Sequence, residues 1–336
     1  MIAPKKRILV VGTGSIGECH VRCILATNRA EVSICETKDN LRKKIANNYK
    51  IKNSYGDFTL ALEAGHDAIV IATPAHLHIP MAQQAAESGL HLLIEKPLSI
   101  SLNGIDHLDR TIREQKLIAG VAYVLRQIPA ISAMKKALDS GRFGQPLHIT
   151  VTRGQHFPTY RPAYREIYYA NHAMGGGAIQ DGLTHLINAV CWLAGPVERL
   201  VADCAHQVLE GVEVEDTVNV LTRHGNTLAS LSLNQYQAPN EGTITVVCEH
   251  GTLRTEFHCN EWDRMCWMID PETKWQEKFW PNFERDHAFI SQANTFFNAI
   301  DGKNEMPCGL SEARHTLECN LAILESAGNP SNWKIL

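Results

Sequence analysis

Two groups of residues have types and spacings suited to proton transfer. The first centres on Lys96, which follows the apolar run His91–Ile94 and the acid Glu95 and precedes Pro97. A lysine ending a buried strand projects into the crevice at the strand ends. There it can hydrogen-bond a reacting oxygen as a cation, or act with a lowered pKa. A structural lysine paired to Glu95 would leave the same local sequence. The second group is Gly175-Gly-Gly-Ala-Ile-Gln-Asp181-Gly-Leu-Thr-His185-Leu-Ile-Asn188. On a regular helix Asp181, His185 and Asn188 stand at i, i+4 and i+7 and share one face. The three glycines in front allow backbone to pass close to a neighbour or a ligand. An Asp and a His in register then suit a general base and its orienting partner, although a polar face touching solvent would read alike.

Chemistry of this kind needs elements that hold it in place, and the N-terminal stretch supplies them. Ile8, Leu9, Val10 and Val11 form a short apolar run, as in a strand buried on both faces, and Gly12, Gly14 and Gly17 follow at G-x-G-x-x-G spacing. Gly12 allows the tight turn, Gly14 lets a pyrophosphate approach the backbone, and Gly17 lets helix pack on strand. Thr13, Ser15 and Ile16 complete the loop, and the helix that opens at Ser15 turns free N–H groups and its positive end toward the phosphates. Residues 31–36 read as the second strand and end on Glu36, 19 residues past Gly17. A carboxylate there, with Thr37 beside it, takes the adenosine ribose hydroxyls and repels a 2′-phosphate. NAD is therefore expected over NADP, a preference softened by nearby Lys38 and Arg42.

The rest of the first 125 residues alternates strand and helix. Helices are expected over 39–48, from an Asp57 cap to 63, over 78–88 and over 101–115, with strands over 67–72, 91–94 and 117–122. Such alternation implies parallel pairing with right-handed crossovers and ligands at the carboxyl ends of the strands, where Gly12, Glu36, Thr73 and Lys96 fall. Beyond Leu125 the pattern changes. A helix over 129–140 and a strand over 146–155 lead into an irregular aromatic and basic stretch, 156–169, then a helix over 178–194. Strand-like segments follow over 197–208, 214–223, 227–237, 243–249 and 252–257, and two helices, 285–300 and 311–327, close the chain. The expected division is a dinucleotide-binding domain over 1–125 and a substrate-binding and oligomerisation α+β domain over 126–336, joined by a short hinge near 122–128.

Composition narrows the function classes. At 336 residues and a net charge of −4, the chain has no general basic field, so nucleic acid is not an expected partner. No apolar run reaches membrane-spanning length, and the basic start is too short for a signal peptide, so no membrane association is expected. The ten cysteines are scattered with no C-x-x-C pair, so neither a disulfide framework nor a metal site is expected, and a reducing cytoplasm is the simplest location.

The set Gly12–Gly17, Ala72-Thr73-Pro74-x-His76-x-His78, Glu95-Lys96-Pro97 and Gly175-Gly-Gly…Asp181…His185 resembles the Gfo/Idh/MocA oxidoreductases, in that family's order and over nearly the whole chain. The resemblance implies a Rossmann domain followed by an α+β domain with a large open, mainly antiparallel sheet. It implies that Lys96 and His185 are catalytic and Asp181 positions the substrate. It also implies that Glu95, Pro97 and the turn from Ala72 through Thr73 and Pro74 to His78 border the nicotinamide. Assembly as a homodimer or tetramer through the C-terminal sheet is implied too. Ala75 stands where the family commonly has Asn, the glycine after Asp181 is displaced by one, and Asn188 replaces a later Asp.

Between hinge and catalytic helix, His156, Tyr160, Arg161 and Tyr164 combine rings, guanidinium and hydroxyl donors. That mixture suits a polyhydroxylated sugar, or a subunit interface. Arg126, just past the hinge, joins the same substrate-binding set. The expected activity is an NAD-dependent dehydrogenase acting on a secondary hydroxyl of a sugar or cyclitol, or reducing the keto form. Lys96 and His185 serve as its acid–base pair. The rivals are a dinucleotide-binding sensor without turnover, and a redox-neutral lyase or hydrolase that uses NAD transiently.

Overall fold

The computed structural model describes residues 5–257, 262–270, 274–281 and 283–329. From Lys6 the chain alternates β1 (Lys6–Val11), α1 (Ser15–Ala26), β2 (Ala30–Cys35), α2 (Asp39–Tyr49), β3 (Ser54–Tyr55), α3 (Phe58–Glu63), β4 (Ala68–Ile71), α4 (His78–Glu87), β5 (His91–Ile94), α5 (Ile105–Glu114) and β6 (Ala119–Val121). All pairings in this sheet are parallel, in the order β3-β2-β1-β4-β5-β6. Helices cover both faces of such a sheet, which is why β1 and β4 are continuous apolar runs, buried throughout from Ile8 to Val11 and Ala68 to Ile71. The Asp57 side chain caps α3 by accepting the Leu60 N–H, as its sequence position predicts. The order reverses between β1 and β4, the switch point where an open α/β sheet binds its ligand.

The chain continues through α6 (Pro129–Asp139), β7 (Pro146–Gly154), the single turn α7 (Phe157–Tyr160) and several 3₁₀ turns. A π-helical turn over Ile179–Leu183 then leads straight into α8 (Thr184–Ala194). Next come β8 (Arg199–Ala205), β9 (Thr217–His224), β10 (Thr227–Asn234), β11 (Glu241–Cys248), β12 (Gly251–Phe257), β13 (Trp262–Ile269) and β14 (Gln276–Pro281), then α9 (Arg285–Ile300) and α10 (Leu310–Ala327). The second sheet has the order β14-β13-β12-β11-β7-β10-β9-β8, antiparallel except for β7 with β10. Strands β13 and β14 were not legible from the sequence pattern. They sit at the end of the sheet and mix Trp262, Trp267 and Phe279 with Arg264, Glu277 and Lys278, so no clean apolar face shows.

Helix α6 packs on β12, β13 and β14, and α8 on β7 and β10. Ile149, Val151, Leu231, Ile244 and Val246 are buried, alternating with the outward residues of their strands. The opposite face carries Thr150, Thr152, Asn219, Ser230 and Ser232 in a depression of about 380 Å³. Leu221, Leu228 and Val247 are exposed at its margins.

The chain forms two compact units, 1–124 with 286–314, and 125–285 with 315–336. The first boundary lies where the sequence puts the hinge. The second corrects the expectation that everything after 125 belongs to one domain. Segment 286–314 returns to the first unit because Ala293, Phe296 and Phe297 fill the same core as Ile8, Val10, Val32 and Val70. Arg22 also holds Asp286 through Nε at 2.5 Å and Nη2 at 2.6 Å. Among the described residues no helix is long and apolar enough to cross a membrane.

Candidate active site

In the first unit the three loop glycines have three different surroundings. Gly12 adopts φ +80°, and a Cβ there would meet the Ala72 carbonyl oxygen at 2.7 Å. A Cβ on Gly17 would lie 1.8 Å from the Gly12 carbonyl oxygen, so only glycine permits this packing of α1 on the loop. At Gly14 a Cβ would meet nothing within 4 Å. The open side of Gly14 is the cradle a pyrophosphate fits. As N-cap of α1, Gly14 brings no side chain to compete for the first-turn amides of Ser15 and Ile16.

Glu36 follows β2, and its carboxylate is fixed against the loop. Oε2 accepts the Thr13 N–H at 2.9 Å and the Thr13 hydroxyl at 3.2 Å, while Oε1 accepts the Lys38 N–H at 3.0 Å. The Thr37 hydroxyl lies 3.5 Å from Oε1. Arg42, which could have served a 2′-phosphate, donates instead to the Glu36 carbonyl at 2.8 Å and to Asp39. The residues present therefore fit a dinucleotide with a free ribose diol.

Lys96 follows β5 in the same sheet and is half-buried. Its backbone is held from two sides. Glu95, buried, accepts the Lys96 N–H on Oε2 at 3.0 Å and faces His20 Nε2 through Oε1 at 2.7 Å. Burial alone would raise the Glu95 carboxyl, but the contacts with His20 and Lys96 hold it below its usual range. The Lys96–Pro97 peptide is cis. His78, only 1% exposed, sets Nδ1 2.9 Å from the Pro97 carbonyl oxygen and Nε2 2.8 Å from that of Thr73. Burial pushes the His78 imidazole below its ordinary range, against the pull of the two carbonyls. Glu95 and His78, expected to touch the cofactor, thus tie the Thr73 turn and the Lys96 turn together from behind. His20 was missed by sequence reading, because a lone His on the buried side of α1 carries no pattern.

In the second unit Asp181 is 4% exposed and doubly engaged. Arg161 Nη1 donates to Oδ2 at 2.5 Å and the Tyr168 hydroxyl to Oδ1 at 2.5 Å, while Arg161 Nη2 lies 3.3 Å from the Tyr168 oxygen. Arg161 also stacks over the Phe157 ring, 4.8 Å to its centroid. Asp181 sits in the π turn that leads into α8, and His185 follows four residues on at the start of that helix. Asn188 engages other groups, accepting Arg126 Nε at 2.8 Å and donating to Thr316 at 3.0 Å. Arg126 is buried with that Asn188 contact and lies over the Trp192 ring.

The glycine triplet serves a neighbour rather than an open groove. A Cβ on Gly176 would lie 2.3 Å from the Tyr169 carbonyl oxygen, and one on Gly177 2.5 Å from Glu215 Oε1. Glu215 accepts the Ile179 N–H at 2.8 Å and faces His172 Nε2 at 2.5 Å. It therefore fixes the approach to the π turn, and the contact raises the His172 pKa. Glu215 went unread in the sequence, where the signal was an acid pair, Glu215-Asp216, just before an apolar strand. Tyr164, expected to meet substrate, is a core residue. It is 2% exposed against Phe157 and Tyr169, and its hydroxyl donates to the Glu210 carbonyl at 2.9 Å. Tyr160 is exposed, His156 pairs with Thr159 at 2.8 Å, and His185 is half-buried near the start of α8.

A six-stranded doubly wound sheet with a G-x-G-x-x-G loop and an acid fixed against it after the second strand, continued by a unit built on an eight-stranded sheet, defines a two-part nicotinamide-dependent oxidoreductase. Residues 6–123 match the model described as oxidoreductase family, NAD-binding Rossmann fold, and residues 131–254 match the GFO/IDH/MocA C-terminal domain. The chain belongs to the Gfo/Idh/MocA family. It is 24% identical to levoglucosan dehydrogenase of Pseudarthrobacter phenanthrenivorans, over 89% of this chain and 87% of that one. It is 29% identical to scyllo-inositol 2-dehydrogenase (NAD(+)) of Bacillus subtilis over 45% of this chain and 46% of the relative. A structure of levoglucosan dehydrogenase in complex with NADH and levoglucosan superposes with a TM-score of 0.86, at 20% identity, covering 96% of this chain and 97% of the other.

Proposed function

We propose that the protein is an NAD-dependent dehydrogenase that oxidises a secondary hydroxyl of a sugar, sugar derivative or cyclitol, or reduces the corresponding ketone. The observation that carries the reading is the Lys96 turn. The backbone of the turn that carries this amine, at the end of a parallel strand, is braced by Glu95, His20 and His78, in the same sheet as the glycine cradle. Bracing of this kind is what a proton-handling group needs to hold a productive geometry. NAD, when bound, supplies the hydride acceptor. Lys96 hydrogen-bonds the reacting oxygen and stabilises the charge it gathers as the hydride leaves. His185 takes the hydroxyl proton. Asp181, held between Arg161 and Tyr168, accepts a neighbouring substrate hydroxyl, while Arg161 donates to another. Levoglucosan dehydrogenase and scyllo-inositol 2-dehydrogenase act, by their names, on compact polyols, which supports this substrate class. Glu36 and the diverted Arg42 support NAD over NADP. The test is NADH absorbance on a panel of anhydrosugars, inositols, free sugars and their ketones. Turnover of any member supports the reading. Tight NAD binding without turnover across the panel in either direction favours the sensor.

A further inference from the structure

Among the described residues, two trios of sulfur, imidazole and carboxylate groups stand apart from the groups just described. One is Cys19, Cys23 and Asp286. Its carboxylate already holds a cation, the Arg22 guanidinium, so it has no charge left to offer a metal. The other is Cys191 on α8 with His315 and Cys319 on α10, whose ligand atoms all lie within 4.8 Å of one another. His315 and Cys319 are one helical turn apart, and Cys191 comes from a different helix, so the three converge from two elements of the same unit.

We infer that Cys191, His315 and Cys319 form a binding site for one thiophilic divalent cation, with zinc the best match. Zinc takes sulfur at about 2.3 Å and imidazole nitrogen at about 2.0–2.1 Å in a tetrahedron, which sets sulfur and nitrogen about 3.5 Å apart. Cys319 Sγ and His315 Nε2 are 3.7 Å apart. Two thiolates and an imidazole suit zinc over magnesium or calcium, which take oxygen ligands. The imidazole is also prepared for the task. Nε2 accepts the Val197 N–H at 2.9 Å and so carries the lone pair, which leaves the hydrogen on Nδ1. Glu318 Oε2 lies 3.6 Å from that Nδ1. A carboxylate behind the non-ligating nitrogen is the arrangement that orients a metal-bound histidine and raises its basicity. The metal takes over the lone pair now offered to Val197.

Thiols bind zinc as thiolates, so binding replaces the S–H bonds of Cys191 and Cys319 by sulfur–metal bonds and sends the displaced protons to solvent. The fourth coordination position is left to water or a small ligand. His315 and Cys319 line a cavity of about 470 Å³ whose wall also carries Glu198, Glu318 and Glu325 against Arg199, a balance of charge that favours a cation. Such a site joins α8, the helix that carries His185, to α10. Neither this geometry nor its test depends on the proposed dehydrogenase activity.

The experiment uses the full chain, reduced with a phosphine and stripped with a chelator, titrated with Zn²⁺ against a chromophoric competitor and with Co²⁺ by absorption. One equivalent is expected, with a thiolate-to-cobalt charge-transfer band and proton release in weakly buffered solution. Cys191→Ser, Cys319→Ser and His315→Ala each abolish the band. Glu318→Gln weakens binding roughly 10–100-fold, the range for a group behind a ligand. Cys248→Ser, a buried thiol elsewhere in the unit, leaves binding unchanged. Retained NADH binding and a cooperative thermal transition show that each variant folds. No binding at one equivalent, or binding that survives in the folded Cys191→Ser/Cys319→Ser double variant, overturns the site.

Discussion

Gly14 and Gly17 are three residues apart in one loop, yet the same substitution is expected to do opposite things to them. In Gly17→Ala the new methyl carbon starts 1.8 Å from the Gly12 carbonyl oxygen, against a closest real approach of 3.0 Å. The helix must retreat by about 1.2 Å from a strand whose neighbours are fully buried. Overpacking of this kind costs about 1–3 kcal/mol or more. At about 2–4 °C per kcal/mol for a unit of this size, the melting temperature falls by roughly 5–10 °C. Gly14 has φ −61° and ψ −170°, open to any residue, and its methyl meets nothing within 4 Å. Gly14→Ala is expected to change the melting temperature of the apoprotein by less than about 3 °C, within the few tenths of a kcal/mol typical of an exposed change. Its methyl instead fills the pyrophosphate cradle, and losing close backbone approach weakens NADH about 10–100-fold, or 1.4–2.7 kcal/mol. The assay is a thermal melt with and without NADH beside a fluorescence titration. The wild type gains stability from ligand by mass action, and Gly14→Ala loses that gain while keeping its own apo value. If Gly14→Ala binds NADH like wild type, the phosphate does not lie on that open side. If Gly17→Ala melts like wild type, the close approach is not a constraint.

Four further outcomes are expected. Lys96→Ala and His185→Ala should each slow single-turnover hydride transfer by about 10²–10⁴-fold while NAD affinity stays within roughly tenfold, and the double variant should lose less than the product; a normal rate in His185→Ala removes the proposed base. Glu36→Ala should narrow the preference for NAD over NADP in calorimetry, because the repelling carboxylate is gone while Arg42 remains tied to the Glu36 carbonyl and Asp39; a wild type that prefers NADP contradicts this reading of Glu36. The Thr- and Ser-rich sheet face with exposed Leu221, Leu228 and Val247 should bury itself against a second copy, so light scattering should give at least twice 37.4 kDa and Leu221→Asp should shift it toward the monomer. Glu215 holds the His172 pKa above its usual 6.5, so that pair stabilises the fold fully below 6.5 and the contribution is lost as pH rises through the raised value; His172→Gln should flatten this part of the stability profile, measured by urea melts from pH 5 to 9, and an unchanged slope would place the dependence elsewhere.

The first unit was legible almost residue by residue because its information is local. A buried parallel strand is a short apolar run, a tight turn is a glycine, and a cap is Asp57, so β1, β2, β4, β5 and β6 appear in the sequence at nearly their final bounds, while the two-residue β3 leaves no pattern. What the sequence could not carry there is the return of 286–314, whose apolar pattern says that α9 buries a face but not against what. Phe296 and Phe297 read as core in either unit, and only the fold decides that the core is the one beneath Ile8 and Val70.

The second unit holds a feature that the sequence pattern did not show, the π turn over Ile179–Leu183 at the head of α8. The turn follows from the glycines. Gly175 and Gly177 take positive φ, Gly176 lies against the Tyr168–Tyr169 backbone, and Glu215 receives the Ile179 N–H, so the helix begins under constraints set by one segment just upstream and by another 36 residues downstream. A π turn costs backbone energy and tends to persist where it aims a functional side chain. Here Asp181, within the turn, is held by Arg161 and Tyr168. Of the two, Arg161 had been read as a substrate contact, and Tyr168 had been seen only as part of an aromatic stretch. The triad makes them interdependent. Removing either leaves a buried carboxylate short of a donor, so a variant such as Tyr168→Phe acts on substrate recognition through Asp181 rather than through a lost contact of its own.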